Sequence, residues 1–202
     1  MNKKYIKSLI GLSVMAVLFI TGMVLVKSQV AAHIDTAEIS DKGFVMGNPD
    51  SDVQIVEYSN FECPFCQENN QNLHETLKEL VEKNEILYIW KPITLEKFPL
   101  GNEAVHFIDP NIGDTDLLEN IRVIFENTSD WDENDSEALQ EEMNETLKLK
   151  RHDHSGLQRL LDDEAEAAGI QSTPTIIIND QAFTGILTKE KLSDVINTIK
   201  NE

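Results

Sequence analysis

Apolar residues along the chain change spacing three times. From Ser8 to Val26 runs a block of 19 uncharged residues, SLIGLSVMAVLFITGMVLV, apolar on every face. At about 1.5 Å per residue, a helix of that length spans roughly the 30 Å of a bilayer core. Lys3, Lys4 and Lys7 precede it and Lys27 follows, so the positive-inside rule leaves the N-terminus in the cytoplasm and carries the remainder across the membrane. The run exceeds the roughly 7–15 apolar residues of a cleavable signal peptide, which favours a retained signal-anchor within residues 1–32. Cleavage near Ala32, after the small residues Val30-Ala31-Ala32, is the alternative and would release a secreted protein. A polar juxtamembrane linker over residues 33–43 is expected next.

Beyond it the spacing shifts to that of a mixed α/β chain. The β-branched run Val53-Gln54-Ile55-Val56-Glu57-Tyr58, bounded by Pro49-Asp50, reads as a strand. Leu73, Leu77, Leu80 and Val81 recur at helical spacing, which predicts an amphipathic helix opening near Cys63 and ending near Lys83, with Pro64 in its first turn. A second strand is predicted from Ile86 to Trp90, closed by Pro92, so the order is strand, helix, strand. From 101 to 169 the pattern is helical throughout. Its stripes are Leu117, Leu118, Ile121, Ile124 and Phe125, then Leu139, Met143 and Leu147, then Leu157, Leu160 and Leu161. After Pro174 come a strand, an Asn179-Asp180 hairpin turn and a partner strand from Ala182 to Ile186. Thr188 is placed to cap a last helix carrying Leu192, Val195, Ile196 and Ile199.

Charge narrows the possible partners. The chain has 36 acidic against 17 basic residues, a net charge of −19. No acid precedes Asp35 and four of the lysines do, leaving 36 acids against 13 bases for everything that follows. Such a surface repels phosphate backbones, so nucleic acid is excluded as a partner. Two cysteines support neither a disulfide-rich scaffold nor a four-thiolate metal site. Neither lies near the end of the apolar block, which excludes attachment through a lipoprotein cysteine.

Both cysteines fall in Cys63-Pro64-Phe65-Cys66, three apart at a predicted helix start, where their Cα atoms come within the about 5.5 Å of a disulfide. Unpaired N–H groups and the helix dipole favour a thiolate at Cys63, the expected exposed nucleophile; Cys66, one turn in, is the shielded resolving partner. An inert staple is one alternative, but so short a loop removes little entropy from the unfolded chain. A zinc half-site is another. It would need His152 and His154, which at i, i+2 point different ways on a helix.

The stretch from Gly47 to Cys66, GNPDSDVQIVEYSNFECPFC, with Gly169-Ile170-Gln171-Ser172-Thr173-Pro174-Thr175 and the Ile-Ile-Ile-Asn after it, closely resembles the DsbA-like thiol-disulfide oxidoreductases of bacteria. The match covers most of residues 44–200. It implies a thioredoxin fold built from 44–100 and 170–202, with a helical domain inserted over 101–169. It also implies that Thr173-Pro174 is a cis peptide facing the cysteines, where the Thr173 backbone can pair with an extended substrate while Pro64 and Phe65 line its path. Glu57 occupies the position at which the family often buries an acid beneath the disulfide, able to relay the Cys66 proton; a solvent-facing strand glutamate is the alternative. Phe65 offers an apolar contact for unfolded chains, or merely packs at the domain edge. Glu62, next to Cys63, is expected to oppose the thiolate. Many strongly oxidising members carry a histidine between the cysteines; here Pro64-Phe65 does not, which argues against a very high oxidising power.

The expectation is therefore a membrane-anchored, monomeric oxidoreductase with its catalytic domain outside the cytoplasm and no cofactor or metal. It would form disulfides in reduced or unfolded exported proteins and be reoxidised by a quinone-linked membrane partner. An extracytoplasmic reductase, as in cytochrome maturation, and a tethered chaperone with an incidental cysteine pair are the rivals. Asp130-Trp131-Asp132-Glu133-Asn134 with Glu141 has the acids of a calcium loop but Asp135 where that loop needs glycine. His33, His74 and His106 stand alone, and no GxSxG, GxGxxG or P-loop occurs.

Overall fold

The computed structural model describes residues 34–128, 131 and 135–201. The apolar block from Ser8 to Val26 and most of the candidate calcium loop lie outside them. Among the described residues no helix is long and apolar enough to cross a membrane.

Five strands form one sheet in the order β1-β3-β2-β4-β5: β1 Phe44–Gly47, β2 Gln54–Ser59, β3 Leu87–Pro92, β4 Thr175–Ile178 and β5 Gln181–Thr184. β2 and β3 run parallel, with Glu57 opposite Trp90, so the chain must cross over between them. Helix α1, Pro64–Glu82, makes that crossover. The other pairings are antiparallel. The β4–β5 hairpin turns through Asn179-Asp180 as expected. Asn179 is left-handed at φ 54, and its Oδ1 accepts from Gln54 N at 2.8 Å, fastening the turn to β2. The last helix, called α6 below, spans Lys189–Lys200, and Thr188 caps it by accepting from Lys191 N at 3.2 Å.

Side chains alternate across the sheet with the period of two that a strand imposes. Ile55, Tyr88, Trp90, Ile176 and Ile178 face one way and join Leu73, Leu77 and Val81 of α1 and Val195 and Ile196 of the last helix in the larger core. Val56, Tyr58, Ile89 and Ile177 face the other way, onto Leu161 and Ala165.

The segment between β3 and β4 is helical, as expected. It contains α2 Pro99–Ala104, a 3₁₀ turn at Val105–Phe107, α3 Asp114–Asn127, α4 Ser136–Glu141 running into a π-helical turn at Glu142–Thr146, and α5 Ser155–Ala167. It does not form a body of its own. Ile34–Glu202 is a single compact unit. Phe125 of α3 packs against Phe61 and Trp90, with ring centroids 4.7 and 6.1 Å apart, so the insertion shares the core of the sheet.

Two expectations need correction. Strand β1 lies outside the strands that the pattern predicted, because only Phe44 and Met46 of its four residues are buried, too short an alternation to register. The expected linker is largely folded. Ile34 and Ile39 pack on the smaller core, Asp35 N donates to Ala168 O at 3.0 Å, and Ser40 N donates to Glu164 Oε2 at 2.9 Å. The partners of these two hydrogen bonds are more than 120 residues away, beyond the reach of any local pattern.

Candidate active site

Cys63 is the N-cap of α1, with extended backbone at φ −72 and ψ 117, and Pro64 takes the first helical position, where its missing N–H costs no bond. The helix begins around Cys63: its carbonyl accepts from Cys66 N at 2.9 Å and Gln67 N at 3.0 Å, while its own N–H donates to Asn60 O at 3.1 Å. Residue 63 is therefore fixed on both sides. The cysteines are free thiols here, and the Cys63 thiol donates to the Thr173 carbonyl at 3.4 Å.

Opposite them, Thr173-Pro174 is a cis peptide, as the resemblance implied. A cleft of about 470 Å³ runs between the two, walled by Pro64, Phe65, Leu95, Phe98 and Thr173, with Lys97 at its edge. Cys63 was expected to be exposed. It is only 4 % exposed and lines the cleft beside Pro64 and Phe65. Phe65 is 57 % exposed, so its ring presents a free apolar face. A second cavity, of about 380 Å³ beside α3, touches neither cysteine.

The two thiols are polarised in opposite senses. The Cys66 thiol, which can donate to a Cys63 thiolate, is the main reason that Cys63 is lowered to about 5. The Thr173 hydroxyl and the N–H groups of Cys66 and Phe65 add to this, against the effect of burial. Burial, reinforced by Cys63, pushes Cys66 far up. No histidine is needed between the cysteines for this split. Glu62 does not oppose it, because its carboxylate turns away and accepts from Gly101 N at 2.6 Å. That contact joins the cysteine loop to α2. A Cβ on Gly101 would stand 2.3 Å from Asn60 Oδ1 and 2.8 Å from Glu62 N, so the approach requires glycine.

Glu57 is 4 % exposed and faces the cysteine side of the sheet, so the solvent-facing alternative fails. Burial raises its carboxyl to about 7, against the hydrogen bond from Tyr88, whose hydroxyl donates at 2.9 Å, and the influence of the nearby Ser59 hydroxyl. The consequence for stability has a definite sign. The folded chain keeps this proton up to about pH 7 while the unfolded chain releases it near 4.5, so the group destabilises the fold increasingly across that window, by about 1.4 kcal/mol per pH unit. Glu57→Gln is therefore expected to match the wild type near pH 4 and to exceed its stability by up to about 3 kcal/mol at pH 8. Urea denaturation of the reduced proteins at both pH values checks this; a difference that does not grow with pH refutes it.

Sequence reasoning missed two members of the site. Ser59 is fully buried two residues beyond Glu57 on the same strand face, so the strand period could have found it. Tyr88 comes from β3, and no local signal connects it to Glu57. The zinc reading finds no support: His152 and His154 lie on the non-helical approach to α5, not on a helix, and His154 Nε2 is bonded to Ile108 O at 2.8 Å. Their rings are nearly parallel, 6.1 Å apart, but among the described residues no group of three histidine, cysteine or acidic side chains could hold a metal.

A family model described as thioredoxin matches residues 40–198, most of the chain. The chain belongs to the thioredoxin family. Among solved structures, this thioredoxin-family chain is similar to a conserved protein of unknown function from Enterococcus faecalis V583, at 27 % identity and a TM-score of 0.75 over 82 % of this chain and 96 % of that one. It also shares the fold of alpha-DsbA1 from Wolbachia pipientis, at 19 % identity and a TM-score of 0.67, covering 81 % and 93 %. The catalytic domain of ScsC from Proteus mirabilis, at 18 % identity and a TM-score of 0.64, covers 82 % and 94 %. Curated relatives include the Na(+)/H(+) antiporter NhaA 1 of Mycobacterium sp. (strain KMS), 25 % identical over 155 residues, 72 % of this chain. The chain spans about a quarter of the length of the curated relatives it matches. A thioredoxin-family chain with a helical insertion and two free thiols at one helix start has the groups that thiol-disulfide exchange requires.

Proposed function

We propose that the chain is an extracytoplasmic oxidase, tethered through residues 8–26, that forms disulfides in reduced or unfolded exported proteins. The observation that carries this reading is the opposed polarisation of the pair: the stabilised Cys63 thiolate favours the dithiol product, which makes the disulfide form a good oxidant. A substrate thiolate bonds to Cys63 Sγ as the Cys63–Cys66 bond breaks. The substrate's second thiolate then attacks its own sulfur in this mixed disulfide, and Cys63 leaves as thiolate. Two electrons pass from the substrate dithiol to the enzyme disulfide, and a quinone-linked membrane partner removes them again.

The cleft suits such substrates. Pro64, Phe65, Leu95 and Phe98 give it apolar surface beside the polar Gln171, Ser172 and Thr184, and the Thr173 backbone supplies pairing groups that select no particular side chain. The test is the reduction potential of the purified protein, equilibrated with glutathione, alongside titration of Cys63 by thiolate absorbance. The expected result is a titration midpoint near 5 and a potential well above the about −270 mV of thioredoxin, toward the about −120 mV of DsbA. A potential near thioredoxin's overturns the oxidase reading and leaves a reductase.

A further inference from the structure

Apart from the reacting sulfur, Lys97 is the one ionisable side chain that lines the cleft leading to Cys63. Its charge is opposite to that of the surface around it, since from Asp35 onward 36 acids stand against 13 bases. Among the described residues, Lys42, Lys83, Lys91, Lys148 and Lys200 each pair with a carboxylate, and Lys97 does not. Its ammonium lies over the ring of Phe98, 4.6 Å from the centroid, and Phe98 is itself part of the cleft wall. The two acids nearest in the chain leave this charge unanswered. Glu62 is bonded to Gly101 N, and Glu96 does not line the cleft.

The wall that carries Lys97 is fixed in place. Phe98 N donates to Leu95 O at 3.0 Å and closes a tight turn, with Lys97 at its third position. Asn102 of α2 grips the start of that turn: its Oδ1 accepts from Leu95 N at 3.0 Å and its Nδ2 donates to Leu95 O at 2.9 Å. The same Oδ1 accepts from Asn60 Nδ2 at 2.9 Å, three residues before Cys63, so turn and cysteine loop are joined through two side-chain amides. Lys97 therefore offers a cation at a defined place beside the path of the substrate. A cleft of about 470 Å³ is on the order of 10 Å across, a distance that an extended chain covers in about three residues.

We propose that Lys97 is the specificity-determining charge of the cleft, selecting substrate segments that carry an acidic side chain within about three residues of the reacting cysteine. The Thr173 backbone reads no side chain, so Lys97 supplies a preference that backbone pairing lacks. Neutral segments still enter along the apolar wall, and the acidic surface repels acidic segments everywhere except at this point. The inference rests on the exchange chemistry proposed above and holds in either direction of net electron flow.

The experiment uses the oxidised full-length chain and pairs of reduced single-cysteine peptides, uncharged except for a Glu in one member where the other has Gln. The position of that residue is scanned over three places on either side of the cysteine. Opening of the Cys63–Cys66 disulfide is followed at pH 7 by acid quench, alkylation and mass spectrometry. Each protein meets the same two peptides, so differences in peptide thiol reactivity cancel when their Glu-to-Gln rate ratios are compared. At the best-placed position the wild-type ratio is expected to exceed that of Lys97→Gln by about threefold, within the range of exposed ion pairs, and that of Lys97→Glu by about tenfold. Both effects should fade at about 1 M salt, where charges are screened within about 3 Å. Ratios that differ by less than about twofold between wild type and Lys97→Glu at every position, or a difference that salt leaves intact, overturn the proposal. If neither peptide opens the wild-type disulfide, the exchange reading falls instead, and a low reduction potential overturns only its direction.

Discussion

Replacing Cys66 by serine is expected to turn the enzyme into a trap. In a single turnover with no other oxidant, each wild-type disulfide yields one disulfide in a reduced test protein; Cys66→Ser has no internal disulfide to give and yields none. Its Cys63 remains at the helix N-cap, with the Thr173 hydroxyl and the backbone N–H groups of the site still stabilising the thiolate. It will attack an oxidised test protein and stop at the mixed disulfide, because the resolving sulfur is absent. Non-reducing electrophoresis should show an adduct that persists at least a hundredfold longer than with the wild type, and Cys63→Ser should form no adduct. Retained turnover by Cys66→Ser would mean that the pair does not work by internal exchange. Retained activity in Cys63→Ser would instead favour a chaperone with incidental cysteines.

The largest stability effect is expected on the opposite face of the sheet. Lys91 is buried on β3, and its ammonium donates to Glu164 Oε1 at 2.5 Å and to Ser40 O at 2.7 Å. Tyr58 donates to the same carboxylate oxygen at 2.5 Å, and the Ser40 N–H and hydroxyl donate to the other. Burial works against both charges, and the hydrogen bonds from Lys91, Ser40 and Tyr58 nonetheless hold Glu164 below the usual carboxylate range. Glu164→Gln leaves the ammonium buried without its counter-charge, which costs about 3–5 kcal/mol, whereas removing both charges through Lys91→Met with Glu164→Leu should recover most of the loss. Urea denaturation measures both. Because the folded carboxyl titrates below its ordinary 4.5, its contribution is present above that pH and disappears on further acidification. A cost under about 1 kcal/mol for Glu164→Gln would show that water screens the pair.

The contrast between these two sites explains what the sequence could disclose. Cys63, Pro64 and Cys66 are adjacent residues governed by one helix terminus, and the β4–β5 hairpin is decided by Asn179 and its neighbours. Such features depend on backbone rules that operate within a few residues. The Ser40–Lys91–Glu164 cluster depends on three segments separated by 51 and 73 residues, and Tyr88 reaches Glu57 across 31. Their individual residues carry no sign of the partner they will meet. Charge also misled at short range: Glu62 adjoins Cys63 in the chain, but its carboxylate is taken up by Gly101 N rather than placed against the sulfur. Burial of Cys63 was illegible for a related reason, since the cleft that encloses it is walled partly by Leu95 and Phe98, which follow β3.

The contact between Gly101 and the cysteine loop bears on how this molecule can be altered, by drift or by design. Helices α3 to α5 meet the sheet through side chains, which substitute for one another when volumes are kept. At Gly101 a backbone lies directly against the Asn60 side chain and the Glu62 N–H, with no space for even one added carbon. Volume-conserving changes of side chain in α3 to α5 should leave the chemistry of Cys63 undisturbed, whereas a single methyl at position 101 would be felt at the sulfur. Grafting a different insertion onto this scaffold would therefore have to keep α2 as it stands and supply counterparts of Phe125 and Glu164.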